Sequence, residues 1–259
     1  TALPTIRYER TNGKITASIY TVRITPSIMY QSHPAFAKTP DGAYQYYPLA
    51  PGFLKKHSIK TLSDFKAVGT RELVADDYVY EIKRLANPAV NSPIYGLMSE
   101  YIAGFDSYRK KLPNKGHAHA YLDLKKYDLE GAYALDKYTY EVRLNGEYPQ
   151  FMYWLAMPFF APIPWEADRF YSQPSLRDTN LGFDWYPVGT GPFMLVENNP
   201  SSRMVLVKNP NYRAVYFQSA GSEIDKNKGY LKHAGERIPF IDKAVYTLEK
   251  EAIPRWIKF

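Results

Sequence analysis

The stretch YPVGTGPFML, from Tyr186 to Leu195, has the glycine-rich composition of a phosphate-binding loop. Such a loop aims several backbone N–H groups at the phosphate, opens a helix and often carries a lysine. Here Pro192 removes one backbone donor, no Gly-Lys-Ser/Thr follows, and Phe-Met-Leu-Val favours a strand. We therefore predict a tight turn that feeds a strand, in which Gly189 and Gly191 supply backbone angles that other residues avoid.

Two titratable pairs are close in the sequence, and neither predicts a catalytic or metal site. Asp76 and Asp77 are adjacent, so on a helix they diverge by about 100° and cannot face each other as an acid–base pair. We interpret them as charges at the start of a helix. His117 and His119 would project to one side of an extended segment, but no carboxylate or cysteine stands at a helpful spacing for a metal. We expect no metal and no cofactor.

The signatures of hydrolytic chemistry are missing from the sequence. It contains no G-x-S-x-G, no H-E-x-x-H and no cysteine with a histidine partner. We therefore expect a binding protein and not an enzyme. One alternative stays open, because a carbohydrate-active or carbohydrate-binding protein that uses dispersed carboxylates and aromatic rings would leave no such motif.

The composition is that of a globular protein with many aromatic side chains. The 259 residues are 45% hydrophobic and include 24 Tyr, 13 Phe and 4 Trp, enough for a core and for a cleft that takes amphipathic ligands. Its 33 basic and 26 acidic residues are interspersed, so we expect no nucleic acid partner. No apolar run approaches the roughly 18 residues of a membrane helix. An export signal is expected to have been removed or to lie upstream.

Hydrophobic periodicity predicts an α+β protein, with mixed sheets flanked by helices. The clearest helix is ELVADDYVYEIKRLANP, which the Asn-Pro pair stops. A second helix is predicted with Ser92 as its cap and Pro93 as its first residue, and its apolar stripe runs to Phe105. A third is predicted over PQFMYWLAMP and, being apolar nearly all round, is expected to be buried.

Strands are predicted in both halves of the chain. The segment from Ile15 to Tyr30 is expected to form one or two strands broken at Pro26. ALDKYTYEVRLNG is expected to form a hairpin that turns at Asp136 and Lys137. Further strands are predicted over residues 193–197, 203–208 and 244–249, and short helices over 62–66 and 166–171.

An aromatic run in the second half of the chain has two interpretations. It comprises Phe151, Tyr153, Trp154, Phe159, Phe160 and Trp165. Core packing is expected to account for most of these rings. A minority could line a cleft, because Tyr and Trp combine apolar area with one hydrogen-bonding group. The residues that we predict to lie near such a cleft are Tyr95, Trp154, Trp185 and Tyr186.

A series of motifs follows from about residue 70 to the end of the chain. RELVADDYVYEIKRLANPAVNSPIYGLM leads from a D-x-V/F-Y helix to R-L-x-N-P and S-P, and ALDKYTYEVRL carries the strand pair A-x-D-x-x-T-x-x-V-x-L. PQFMYWLAMPFFAPIP, YPVGTGPFML and LVKNPNYR follow the patterns P-x-F…L…P-I-P, P-V-G-T-G-P-Y and L-x-x-N-P-x-Y, and RIPFIDKAVYTLEKEAIPRWIKF is close to P-Y-I-D-x-V-x-F. In this order the motifs resemble those of family 5 extracellular solute-binding proteins, the receptors of peptide- and nickel-type ABC importers.

The resemblance implies a periplasmic-binding-protein-like fold whose two lobes close over a ligand. It places residues 1–185 in the smaller variable lobe and its preceding strands, and residues 186–259 in an incomplete part of the main lobe. The chain is then expected to be a fragment that lacks the second large lobe. The GTG turn becomes a structural crossing near the lobe boundary.

The resemblance also implies a binding function in which no reaction is catalysed. The expected protein is the periplasmic substrate-binding component of an ABC importer. It captures a peptide or related small solute and delivers it to a permease in the inner membrane. No cofactor and no nucleic acid partner are implied, and a monomer is expected. The aromatic residues predicted near the cleft would then contact the ligand.

Overall fold

The computed structural model describes residues 3–113, 121–179, 181–249 and Trp256. Its helices are α1 (Phe53–Lys56), α2 (Ala75–Leu85), α3 (Tyr95–Tyr101), α4 (Phe105–Lys111), α5 (Phe151–Trp154), α6 (Trp165–Tyr171), α7 (Pro174–Arg177) and α8 (Glu223–Asn227). Its strands are β1 (Thr5–Thr11), β2 (Lys14–Arg23), β3 (Ala132–Asp136), β4 (Thr139–Asn145), β5 (Phe193–Asn199), β6 (Arg203–Lys208), β7 (Val215–Tyr216), β8 (Arg237–Ile238) and β9 (Lys243–Thr247). The α+β class predicted from the sequence is confirmed.

The larger sheet has the strand order β1-β2-β4-β3, and each neighbouring pair is antiparallel. Asn12 and Gly13 turn the first hairpin with φ values of 51° and 79°, the left-handed pair that suits a two-residue hairpin turn. The strand predicted from Ile15 onward is confirmed and ends at Arg23. β1 was not predicted, because it is an exposed edge strand rich in charged residues.

The first core lies between α2, the larger sheet and the helices α3 to α5. α2 forms as predicted because its apolar residues recur at helical spacing and aspartates occupy its first turn. Full burial of one large apolar side chain contributes about 1.5–3 kcal/mol. The fully buried large members of the first core are Tyr20, Ile82, Met98, Ile102, Phe105, Tyr108, Leu124, Leu144 and Phe151.

The second core lies between the segment 28–73 and the helices α6 and α7. That segment has little regular structure, and the bridges Met29–Glu72 and His33–Gly69 hold its ends together. Gly69 is required there, because a Cβ atom would stand 2.4 Å from the Phe36 carbonyl oxygen. The helix predicted over 62–66 is one 3₁₀ turn, Leu62–Asp64. The second core comprises Tyr30, Phe36, Tyr46, Leu54, Ile59, Phe65, Leu73, Phe170, Tyr171, Leu176, Leu181, Tyr186 and Val188 with three alanines.

The second predicted helix begins later than expected and is broken. α3 starts at Tyr95, so the prediction of Ser92 as the cap and Pro93 as the first residue is wrong. The Ser92 hydroxyl is buried and has no hydrogen-bond partner among the described residues. The apolar stripe is divided between α3 and α4, because Gly104 takes a left-handed φ of 68° just before Phe105.

The third predicted helix is a single turn, α5, and is buried on one face only. Phe151 and Trp154 point into the first core. Tyr153 between them is 71% exposed, and Met157 beyond the helix is 46% exposed. The prediction of burial on nearly all sides is therefore wrong, because an apolar composition does not by itself decide which rings face the core.

The three strands predicted after the GTG turn are present and pair as an antiparallel sheet in the order β5-β6-β9. It is thinly covered, since Val205 and Asn209 are the buried residues within the described part of 193–249. Its exposed large apolar side chains include Val245 and Tyr246 on β9. Among the described residues, no helix is long and apolar enough to cross a membrane.

Candidate functional site

The GTG turn connects the first part of the chain to the three-stranded sheet, and side-chain amides hold its backbone. The backbone N–H of Gln31 donates to the Gly189 carbonyl oxygen at 2.9 Å, and the Gly189 N–H donates to Gln31 Oε1 at 3.2 Å. Asn209 Nδ2 donates to the Gly191 carbonyl oxygen at 2.8 Å. The stretch is thus a turn whose backbone is held by protein groups and which feeds β5, as predicted.

Gly189 and Gly191 were predicted to supply backbone angles that other residues avoid, and this prediction is wrong. Neither Gly189 nor Gly191 has a left-handed φ. A Cβ atom at Gly191 would meet nothing within 4 Å, and one at Gly189 would meet only the Gly191 nitrogen at 4.0 Å. Neither backbone conformation nor crowding within the described residues therefore requires glycine here.

A buried hydrogen-bond chain lies beneath the turn. His33 Nδ1 accepts from the Ala35 N–H at 3.0 Å, so the neutral ring carries its proton on Nε2. Nε2 donates to the Tyr171 hydroxyl at 2.9 Å, and this hydroxyl donates to the Tyr186 carbonyl oxygen at 2.9 Å. Burial lowers the pKa of His33 to about 3. The histidine therefore stays neutral and positions the turn.

The residues predicted near a cleft lie in two separate places. Trp185 and Tyr186 are beside the second core: Tyr186 is 8% exposed, whereas Trp185 is half-buried and its carbonyl oxygen accepts from Asn198 Nδ2 at 2.6 Å. Trp154 is buried in the first core and packs edge-on against the Tyr148 ring. These two groups of rings belong to different cores.

Tyr95 is the remaining member of the predicted set and lies at the edge of the first core. Its hydroxyl donates to Asp106 Oδ1 at 2.8 Å, and the Arg109 guanidinium lies 4.1 Å from the ring centroid. Burial raises the pKa of this phenol, and the hydrogen bond to Asp106 adds to the effect. The residue as a whole is half-buried. The ligand-binding role of all four residues stays a prediction.

A buried ion cluster that the sequence did not predict joins α2 to α6. Arg71 makes two contacts of 2.8 and 2.6 Å to Asp77 and two of 2.8 and 2.7 Å to Glu166. Asp77 is 1% and Glu166 4% exposed. Asp77 also accepts from the Val74 N–H at 3.0 Å, so the predicted helix-start role is confirmed but incomplete. Burial opposes the charge on Arg71, yet the bonds to Asp77 and Glu166 raise its pKa.

Two neighbouring cavities of about 330 and 960 Å³ share Tyr121, Ser172 and Arg177. Arg84 and Asp168 line the smaller one and form an ion pair at 3.0 Å, and the Tyr80 hydroxyl donates to Asp168 at 2.7 Å. Both volumes are in the range that takes a small ligand. No sequence pattern predicted these cavities, because their walls come from segments far apart in the chain.

The described residues hold no cluster of His, Asp and Glu that could bind a metal ion. His117 and His119, the pair weighed for metal binding, lie outside the described residues.

Among solved structures, several similar chains are peptide-binding proteins or belong to oligopeptide transporters. The peptide-binding pheromone receptor PrgZ is 16% identical with a TM-score of 0.51, over 97% of this chain and 34% of PrgZ. OppA of Burkholderia pseudomallei is 18% identical with a TM-score of 0.49, over 99% and 38%. The substrate-binding domain of an oligopeptide ABC transporter from Bacillus anthracis str. Ames is 15% identical with a TM-score of 0.48, over 96% and 33%. The chain thus spans about a third of the length of these structures, and at such identities the likeness concerns the fold.

The sequence match is more specific than the structural one. Curated protein sequences give no match. Residues 69–247, well over half of the chain, match the middle region of a single family, and they contain α2, the hairpin β3–β4, the GTG turn and the three-stranded sheet. The chain therefore belongs to the bacterial extracellular solute-binding proteins, family 5.

Proposed function

We propose that this chain is part of the substrate-binding component of an ABC importer. The component captures a peptide or related small solute in a cleft between lobes and delivers it to a membrane permease. The observation that carries this function is the family match over residues 69–247. The same match does not favour a carbohydrate-active protein, although the aromatic content had left that alternative open.

Capture of this kind needs binding groups and no covalent step. Closure of two lobes excludes water and lets fixed donors and acceptors satisfy the backbone and termini of a peptide. Rigid elements serve this purpose better than mobile ones, because a preorganised site loses less entropy on binding. The GTG turn, held by Gln31 and Asn209, and the neutral His33 beneath it are supports of this type. Catalysis has no part in the proposed function.

The proposed lobe boundary lies at the turn, with residues 1–185 in the smaller lobe and 186–259 in the main lobe. Of the residues proposed to lie near the cleft, Tyr95 and Trp185 are half-buried and would contact the ligand directly. Trp154 and Tyr186 are buried, and would act by holding neighbouring groups in place. The proposed site of action is the periplasm or cell exterior, as a monomer that docks on the permease.

Thermal shift of the whole protein tests the function. Short peptides, oligosaccharides and Ni²⁺ are added separately, and a ligand present at 100 times its dissociation constant stabilises the folded state by about 2.7 kcal/mol. We expect peptides to raise the melting temperature and to be recovered intact. Stabilisation by oligosaccharides alone, or their cleavage, would contradict the proposal.

A further inference from the structure

A separate cavity of about 350 Å³ lies against α2, on residues that the GTG turn and the lobe boundary do not include. Val79 and Ala134 form part of an apolar wall. Three aromatic residues also line the cavity, together with four charged side chains: Lys83, Lys125, Asp76 and Asp128. An apolar wall with a few convergent polar groups is the usual composition of a small-molecule site, and the volume is in the usual range.

Lys83 is the unusual member of this lining. It stands in the last turn of α2 and is only 9% exposed, yet its amine has no hydrogen bond or ion pair among the described residues. Burial lowers the pKa of this amine, and Asp128 and Asp76 act against that shift. The ammonium is not among the fully buried polar atoms that lack a hydrogen-bond partner, so it keeps some access to solvent at the cavity. Restricted hydration of an unpartnered charge is nevertheless costly. A ligand that supplies an acceptor would remove that cost.

The other charges restrict which ligand can do so. Asp76 and Asp128 interact electrostatically with Lys83 but form no ion pair within the described chain. Lys125 lies 3.5 Å from the centroid of the Trp165 ring, so its charge is held at the cavity by a cation–π contact. The four charges sum to zero. A simple anion would be attracted by the lysines and repelled by the aspartates, whereas a ligand that carries an anionic and a cationic group on one carbon atom would satisfy both.

We propose that this cavity binds a free α-amino acid, with the carboxylate of the ligand on Lys83 and its ammonium group toward Asp128 and Asp76. The side chain of the ligand lies against Val79 and Ala134, which selects apolar amino acids. The site is distinct from the cleft of the proposed function, so each can exist without the other.

Residue-resolved lysine labelling tests the site directly. The whole protein is acetylated briefly with acetic anhydride, with and without L-leucine, and each lysine is quantified by mass spectrometry after digestion. The amine of leucine also consumes acetic anhydride, so protection is measured as the ratio of Lys83 to Lys126 labelling. L-leucine at up to about 10 mM should lower this ratio by on the order of tenfold. Lys126 serves as the internal control, because it neighbours Lys125 in sequence, is exposed and does not line the cavity. An unchanged ratio would overturn the proposal.

Analogues and variants separate the zwitterion from other ligands. N-acetyl-leucine lacks the ammonium and leucinamide lacks the carboxylate, so each should protect Lys83 at least about tenfold more weakly than leucine, the effect of losing one charged hydrogen bond. Equal protection by either analogue would contradict the charge assignment. Calorimetry of K83M should lose leucine binding on the order of tenfold or more, while K126M keeps it. Peptide binding by the whole protein should persist in K83M, so failure here is distinguishable from failure of the receptor function.

Discussion

The part of the chain before the GTG turn and the part after it are stabilised differently. The first part contains both cores and a buried ion cluster. In the described residues from 193 to 249, Val205 and Asn209 are the buried side chains, and β9 exposes Val245 and Tyr246. Apolar strands occur in both parts, so apolar character predicts a strand but not what covers it. We therefore expect substitutions in the first part to cost far more stability than equivalent ones in the second.

The largest effect is expected for a large-to-small change in the first core. Phe151 is fully buried, and its ring lies 4.8 Å from that of Tyr20 and 5.7 Å from that of Phe160. F151A should lower the free energy of unfolding by about 3–5 kcal/mol. In the 259-residue chain, Y246A, at a residue 57% exposed on β9, should change it by less than about 1 kcal/mol. Urea unfolding followed by circular dichroism measures both, and equal losses would contradict the contrast between the two parts.

Substitutions in ion pairs also compare the parts of the chain before and after the GTG turn, and they leave the apolar cores unchanged. R71M would leave Asp77 and Glu166 buried without their cation, and should cost about 3–5 kcal/mol. The matched control is R203M, which breaks the exposed pair with Glu197 in the three-stranded sheet. Solvent screens that pair, so the variant should unfold like the unchanged protein. A mild effect of R71M would show that the buried cluster does not hold α2 to α6.

Because His33 is buried, the free energy of unfolding is expected to depend on pH. Burial lowers the pKa of His33 from 6.5 to about 3. The unfolded chain therefore takes up a proton near pH 6.5 that the folded protein does not. Stability that is fully present above pH 6.5 is lost as the pH falls toward 3. Between pH 6.5 and about 5, the unfolding free energy should fall by up to about 1.4 kcal/mol per pH unit from this group.

Urea titrations at stepwise pH measure this slope, and two variants assign it. H33Q should flatten the slope, whereas H57Q, at an exposed histidine, should leave it unchanged. A slope that survives in H33Q would place the titrating group elsewhere.

The smallest effect is expected within the GTG turn itself. G191A should change the unfolding free energy by no more than about 0.5 kcal/mol, because the backbone is not left-handed and a Cβ atom meets open space. G69A is the contrasting variant, since its Cβ atom would stand 2.4 Å from the Phe36 carbonyl oxygen, and should cost about 1–3 kcal/mol. A large loss in G191A would mean that the turn needs glycine after all.

Local patterns predicted local structure well. α2, the hairpin β3–β4 and the strands β5, β6 and β9 were all expected, because periodicity and turn residues act within a few positions. The cap at Ser92 failed for a tertiary reason: its hydroxyl is buried instead of facing the first turn of a helix. Irregular segments such as 28–73 carry no period, so the second core could not be read from the sequence.

The features of the candidate site that were not predicted depend on contacts between residues far apart in the chain. Arg71 and Glu166 are separated by 95 positions, and no spacing rule links them. Ring composition identified Trp154 and Trp185 equally, yet it does not say which ring faces inward and which keeps an exposed surface. The motifs pointed to the family, which composition could not do, because composition ignores the order in which motifs occur along the chain.

Native mass spectrometry of the whole protein, incubated with a mixture of short peptides, tests the central claim most directly. Capture without chemistry predicts complexes whose added mass equals that of an intact peptide, and release of the same peptide on unfolding. Absence of any peptide complex, or recovery of cleaved or modified peptides, would contradict a receptor that holds its cargo unchanged.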